Sequence, residues 1–125
     1  MTINLSDSEW KLMNHLWKSP PKTITELTAA LREETGWSKN TIITMLSRLE
    51  AKGAVRHEAG LRAKRYFPCL RREDAAREET ESFLSKVYGG SLGLMMSAMV
   101  ESRQLTESEI AELSAILEKA GGEPQ

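Results

Sequence analysis

The chain has 125 residues, with 17 Lys and Arg against 18 Asp and Glu, two His and a single cysteine. That length holds one ordinary domain, or a small domain with an oligomerisation tail, and the lone Cys69 excludes both an internal disulfide framework and a multi-cysteine metal cluster. The near-neutral net charge of -1 hides an asymmetry: residues 1–70 hold 11 Lys and Arg against 7 Asp and Glu, whereas residues 71–125 hold 6 against 11.

The most apolar stretch, SLGLMMSAMV at 91–100, is too short and too glycine-interrupted to cross a bilayer. MTINLSDSEW at the N-terminus lacks the basic and apolar zones of a signal peptide. A soluble cytoplasmic protein with no membrane insertion is therefore expected, with Cys69 a buried or bystander thiol.

The helix starts are legible from their caps. In LSDSEW, Ser6 and Glu9 form a capping box, with Leu5 and Trp10 placed as a hydrophobic staple. A first helix begins near Asp7 with an apolar stripe of Trp10, Met13, Leu16 and Trp17, and Pro20 with Pro21 ends it. TITE repeats the device through Thr23 and Glu26. The second helix then runs to about Glu34, with Ile24, Leu27, Ala30 and Leu31 on the buried face.

Gly36 permits a turn, Ser38 is an N-cap, and a third helix occupies WSKNTIITMLSRLEAKG until Gly53 stops it. Ile42, Met45, Leu46 and Leu49 fall at helical spacing on its core side. At about 100° per residue, Asn40, Thr41, Thr44, Ser47 and Arg48 share the opposite arc. A helix facing only solvent usually carries Glu and Lys pairs, whereas one that enters a groove needs slim polar side chains and an Arg. Thr41 and Thr44 can offer a hydroxyl to a base edge and a methyl to a thymine, and Arg48 can pair with guanine or clamp a phosphate. Lys39 lies at the helix N-terminus, where free backbone amides already favour an anion, and suits a phosphate contact, so that Ser38, Lys39, Asn40, Thr41, Thr44, Ser47 and Arg48 are the DNA-binding residues expected on this segment.

After Gly53 the period changes. AVRHE and AKRYF flank AGLR, with Gly60 available for a turn, and read as a short β-hairpin. Three helices followed by a two-stranded ribbon make the winged form of the helix-turn-helix, in which the second helix of the pair enters the major groove. Arg62, Lys64 and Arg65 lie on this hairpin, where a cation at the tip reaches the phosphate backbone or the minor groove. Alternation does not settle which face each occupies. Within 39–65, Lys39, Arg48, Lys52, Arg56, Arg62, Lys64 and Arg65 face only Glu50 and Glu58, a local basic surface suited to phosphate.

Beyond residue 71 the character is different. REDAAREETESFLSKVY is a charged helix running into Gly89 and Gly90. SLGLMMSAMV is apolar around much of its circumference, and TESEIAELSAILEKA opens with a third capping box, Thr106 and Glu109, and is expected to bury Ile110, Leu113, Ile116 and Leu117. Three short helices cannot enclose so much apolar surface alone. Two copies that interleave and bury Leu92, Met95, Met96, Met99 and Val100 are the economical solution. The expected fold is thus mainly α: a winged-helix DNA-binding domain at 1–70 and a helical dimerisation domain at 71–125.

The segments EWKLMNHLW at 9–17, WSKNTIITMLSRLEAKG at 37–53, RYFP at 65–68, FLSKVYGG at 83–90 and LTESEIAELSAIL at 105–117 resemble, in order, the penicillinase and methicillin-resistance repressor family of BlaI/MecI type, which also includes the copper-responsive CopY repressors. The resemblance implies homodimeric repression at dyad-symmetric double-stranded DNA operators. In antibiotic-responsive members, it further implies release by cleavage in the dimerisation domain, set off through a membrane sensor-protease system. By ungapped alignment the family's cleaved Asn-Phe bond falls at Ala98 and Met99, and neither residue matches. The copper-responsive branch carries a C-terminal cysteine cluster that ILEKAGGEPQ lacks, so no metal is expected there.

His15 and His57 have no carboxylate or thiol set at ligand spacing and read as structural or surface residues. No nucleophile elbow, phosphate loop or paired-acid arrangement appears, so neither an enzyme nor a cofactor is expected. The rival reading is a winged helix that binds an acidic protein partner through its basic face without sequence-specific DNA affinity.

Overall fold

The computed structural model describes residues 3–122. Its elements follow the order α1 (Asp7–Lys18), α2 (Ile24–Thr35), α3 (Lys39–Lys52), β1 (Val55–Glu58), β2 (Arg65–Pro68), α4 (Arg72–Tyr88), α5 (Leu92–Glu101) and α6 (Glu107–Gly122). They form two compact units, Met1–Glu79 and Thr80–Gln125, so the division falls inside α4 rather than at the composition break near residue 70. The first turn of α4 belongs to the N-terminal unit because Ala75 is buried in that unit's core.

Local chemistry sets the helix boundaries. Ser6 Oγ accepts from the Glu9 amide at 3.2 Å while Glu9 Oε1 accepts from the Ser6 amide at 2.8 Å. Thr23 and Glu26 repeat the reciprocal pair at 3.1 and 2.8 Å. Ser38 caps α3 by accepting from the Thr41 amide at 3.2 Å. Such a cap contributes about 1 kcal/mol by satisfying amides that the first helical turn leaves unpaired. Gly36 (φ 68°) and Gly53 (φ 85°) end α2 and α3 in the left-handed conformation that glycine adopts without a Cβ penalty.

Leu12, Met13 and Leu16 of α1, Leu27 and Leu31 of α2, and Ile42, Met45, Leu46 and Leu49 of α3 converge on one core, closed by Ala54, Val55, Tyr66 and Ala75. The N-terminal stripe differs from its expected composition in two places. Leu12 is fully buried whereas Trp10 and Trp17 are only half-buried, their rings tilted against each other at 5.6 Å. Ala30 is exposed and Thr28 takes its place inside, because Thr28 lies nearer the centre of the face defined by Ile24, Leu27 and Leu31. The Thr28 hydroxyl donates to the Ile24 carbonyl at 2.7 Å, which removes the penalty of burying it.

β1 and β2 pair antiparallel, from Val55 opposite Pro68 to Glu58 opposite Arg65. A further bridge joins Lys22, before α2, to Tyr66 through backbone bonds of 3.2 and 2.8 Å. Trp17 Nε1 donates to the Leu70 carbonyl at 2.8 Å, fixing the chain that leads into α4.

The C-terminal unit is built differently. Thr106 and Glu109 form the third reciprocal cap, at 3.1 and 2.9 Å. Yet α5 buries none of its residues: Met95, Met96, Ala98 and Met99 are half-buried, and Leu92, Leu94 and Val100 are exposed. On α6, Leu113 is half-buried while Ile110, Ile116 and Leu117 are exposed within the single chain, contrary to the expected buried face. Helices this few and short leave no third layer to cover them.

Candidate nucleic-acid interface

Four apolar residues of α3, Ile42, Met45, Leu46 and Leu49, are sunk in the core, which turns its polar surface outward as a unit. Ser38, Lys39, Asn40, Thr41, Thr44, Ser47 and Arg48 are all exposed, as the helical spacing requires. Two of their hydroxyls are already engaged. Thr44 Oγ1 donates to the Asn40 carbonyl at 3.0 Å, so it faces outward as an acceptor with its methyl free. Ser38 Oγ and Thr41 Oγ1 lie 3.1 Å apart within the N-cap, making Ser38 chiefly a capping residue. Asn40, Ser47 and Arg48 are the uncommitted hydrogen-bonding side chains of the arc.

An open trough of about 340 Å³ runs beside this arc, lined by Asn40, Thr41, Thr44, Met45 and Arg48 together with Ser8 of α1 and Trp37. The trough adds Ser8 and Trp37 to the site. Trp37 stands at the head of the same sequence motif and was legible as part of it. Ser8, on α1, is brought in by the tertiary fold and carries no local signal.

The seven cations of 39–65 divide into two groups. Lys52 reaches back to Glu9 Oε1 at 2.6 Å and to the Asn4 carbonyl at 2.7 Å. Arg56 pairs with Glu58 and stacks over the Phe67 ring at 4.2 Å, and Arg65 lies 3.9 Å from Glu58 across the hairpin. These three are partly neutralised. Among the described residues Lys39, Arg48, Arg62 and Lys64 form no ion pair. The basic surface therefore reduces to two cations on α3 and two on the hairpin tip. That tip is narrow by construction: a Cβ on Gly60 would lie 2.2 Å from the Ala63 carbonyl oxygen, so only glycine closes the turn that presents Leu61 and Arg62 to solvent.

Glu9 holds the far end of α3. Its side chain is fully buried, and burial works against its charge, but hydrogen bonds from the Lys52 ammonium and the Ser6 amide more than offset this and keep its carboxyl below the ordinary value of 4.5. Its second oxygen has no hydrogen-bond partner, so the compensation falls on Oε1 alone, through Lys52 and the Ser6 amide. The two histidines brace neighbouring elements. His15 Nε2 lies 3.5 Å from Glu34, and His57 Nδ1 lies 2.6 Å from Glu50 with its ring against Tyr66. Burial and the nearby Glu50 carboxylate push the Tyr66 hydroxyl up. Cys69 is exposed. Among the described residues no helix is long and apolar enough to cross a membrane, and no group of three or more His, Cys, Asp and Glu is placed to hold a metal ion.

A three-helix core carrying a two-stranded wing, with a slim polar arc on the third helix and unpaired cations at its start and on the wing, defines a winged helix-turn-helix protein. A family model described as penicillinase repressor matches residues 5–119. The chain is 36% identical over 115 residues to the penicillinase repressor of Bacillus licheniformis, covering 92% of this chain and 90% of that one. It is 28% identical over 118 residues to the methicillin resistance regulatory protein MecI of Staphylococcus aureus, covering 94% and 96%. The chain belongs to the penicillinase repressor family.

Solved structures agree. The DNA-binding domain of the repressor BlaI superposes with a TM-score of 0.54 at 34% identity, over 59% of this chain and 90% of that one. The monomeric form of Bacillus licheniformis BlaI in complex with the blaP half-operator gives 0.52 at 35% identity, over 58% and 90%. MarR from E. coli, 20% identical with a TM-score of 0.51 over 94% of this chain and 78% of that one, shares the fold.

Proposed function

We propose that this chain is a cytoplasmic transcriptional repressor that binds double-stranded operator DNA as a homodimer, with α3 in the major groove and the wing along the phosphates. The observation that carries the reading is the surface of α3. Lys39, Asn40, Thr41, Thr44, Ser47 and Arg48 are exposed together, backed by four buried apolar residues that fix their direction. A relative in complex with a half-operator, which superposes on 58% of this chain, supports DNA as the ligand of this fold.

In this reading Asn40, Thr44, Ser47 and Arg48 meet base edges, Thr41 lies at the edge of the groove, and Lys39, Arg62 and Lys64 meet phosphates. Arg65, held near Glu58, contributes less. Residues from 1 to about 70 bind DNA and those from 71 to 125 dimerise, burying Leu92, Met95, Met96, Met99, Val100, Ile110, Leu113 and Leu117 between two copies. Repression ends when a signal breaks that association, and scission of α5 near Ala98 and Met99 by a sensor-protease system is one route that removes the shared surface.

Selection of bound duplexes from a random pool tests the proposal. A pseudo-palindrome with half-sites about one helical turn, roughly 34 Å, apart or a multiple of it is the expected product. Equal affinity for the selected and a scrambled duplex across a salt series contradicts it.

A further inference from the structure

Ile43 is the large apolar residue of α3 that the core leaves outside. Ile42, Met45, Leu46 and Leu49 complete the buried face without it, and Ile43 remains 39% exposed. Its helical neighbours on that side, Lys39, Asn40 and Ser47, are exposed and polar. A position that meets only water is better served by Glu, Lys or Ala, since a β-branched side chain lowers helix propensity and gains nothing from exposure. The same stiffness makes Ile43 a rigid apolar probe that loses little rotamer freedom on contact.

We infer that Ile43 determines operator sequence by packing on the 5-methyl group of a thymine. The inference rests on α3 entering the major groove. There thymine alone presents a methyl; cytosine carries only a hydrogen at that carbon, and the purines present acceptors and a donor. An apolar side chain pressed on those groups strips their water and returns no hydrogen bond, so Ile43 favours thymine and disfavours the alternatives. Ile43 is the fifth residue of α3, in the N-terminal half from which such helices contact bases.

Duplexes enriched by the full-length wild-type chain are resynthesised with deoxyuridine in place of each thymine in turn, which removes one methyl and nothing else. One symmetric thymine pair is expected at which the change weakens binding about fourfold per half-site, the equivalent of one buried methyl. Ile43→Ala is expected to bind the thymine and uracil duplexes equally, and Ile43→Gln to exchange thymine for adenine at that base pair. Toleration of uracil at every position by the wild-type chain overturns the inference, whatever the variants do. So does an equal uracil penalty in wild type and Ile43→Ala. A wild-type chain that enriches no sequence at all overturns the major-groove reading beneath it, a failure distinct from the other two.

Discussion

Leu46 in α3 and Leu117 in α6 are the same side chain on helices of 14 and 16 residues, yet Leu46 is wholly buried and Leu117 is 66% exposed. The surroundings differ, not the helices. α3 is enclosed by α1, α2 and the hairpin, so Ile42, Met45, Leu46 and Leu49 all meet partners within one chain, and of its large apolar residues only Ile43 stays outside. α5 and α6 have no such enclosure and carry Leu92, Leu94, Val100, Ile110, Ile116 and Leu117 on their surface. Burying each of those side chains is worth about 1.5–3 kcal/mol, a driving force the isolated C-terminal unit leaves unused. One unit is closed and displays a polar ridge, the other is open and displays an apolar one; under the proposed function the first recognises and the second joins.

The largest effect should come from cutting the two apart. Residues 1–79 alone should fold as a monomer and bind the selected operator about 10²–10⁴-fold more weakly than the full chain, because the second half-site is no longer tethered. Competition gel shifts measure this, and undiminished affinity breaks the division of labour.

Leu46→Ala against Leu117→Lys sharpens the contrast between cores. Leu46→Ala should lower unfolding free energy by about 2–5 kcal/mol through a cavity. That loss should be the same at every protein concentration. Leu117→Lys should instead make thermal stability depend strongly on concentration, the signature of a weakened dimer. Denaturant and heating series at several concentrations separate the two.

Arg48→Ala should cost about 1–3 kcal/mol of operator binding if Arg48 reads a base, with specificity relaxed at one base pair. A phosphate role would show as a uniform loss and a salt slope reduced by about one.

Glu9→Gln should lower stability by about 1–3 kcal/mol by removing the charge-assisted bond to Lys52. Because the Glu9 carboxyl titrates below its ordinary value of 4.5 in the folded chain, its contribution is complete above that value and is lost as pH falls through the depressed one. The difference between wild type and Glu9→Gln should therefore shrink in acid, which unfolding curves at pH 7 and below 4 will reveal. Smallest of all, Arg62→Ala should leave sequence preference intact and reduce only the salt slope, by about one.

Much of this architecture is legible in the sequence because its determinants are local. The boxes at Ser6 and Glu9, Thr23 and Glu26, and Thr106 and Glu109 span three residues each, and the α3 arc follows from helical periodicity alone. What escapes such reading is long-range. Lys52 looks like one more groove cation until Glu9, 43 residues away, is seen to hold it. The bridge from Lys22 to Tyr66 and the bond from Trp17 to Leu70 likewise depend on packing that no short window contains. The hairpin cations resist assignment for another reason: Arg62 and Lys64 lie in the loop between β1 and β2, where strand alternation does not apply. In α5 and α6 the period marks an apolar face correctly but does not reveal whether the same chain covers it.

The most direct measurement is the stoichiometry of the full-length chain on its selected duplex, by sedimentation at concentrations above the dissociation constant. Two chains per duplex, falling to a weaker complex when either half-site is scrambled, is the expected result. One chain per duplex, with the second half-site indifferent to sequence, would contradict it.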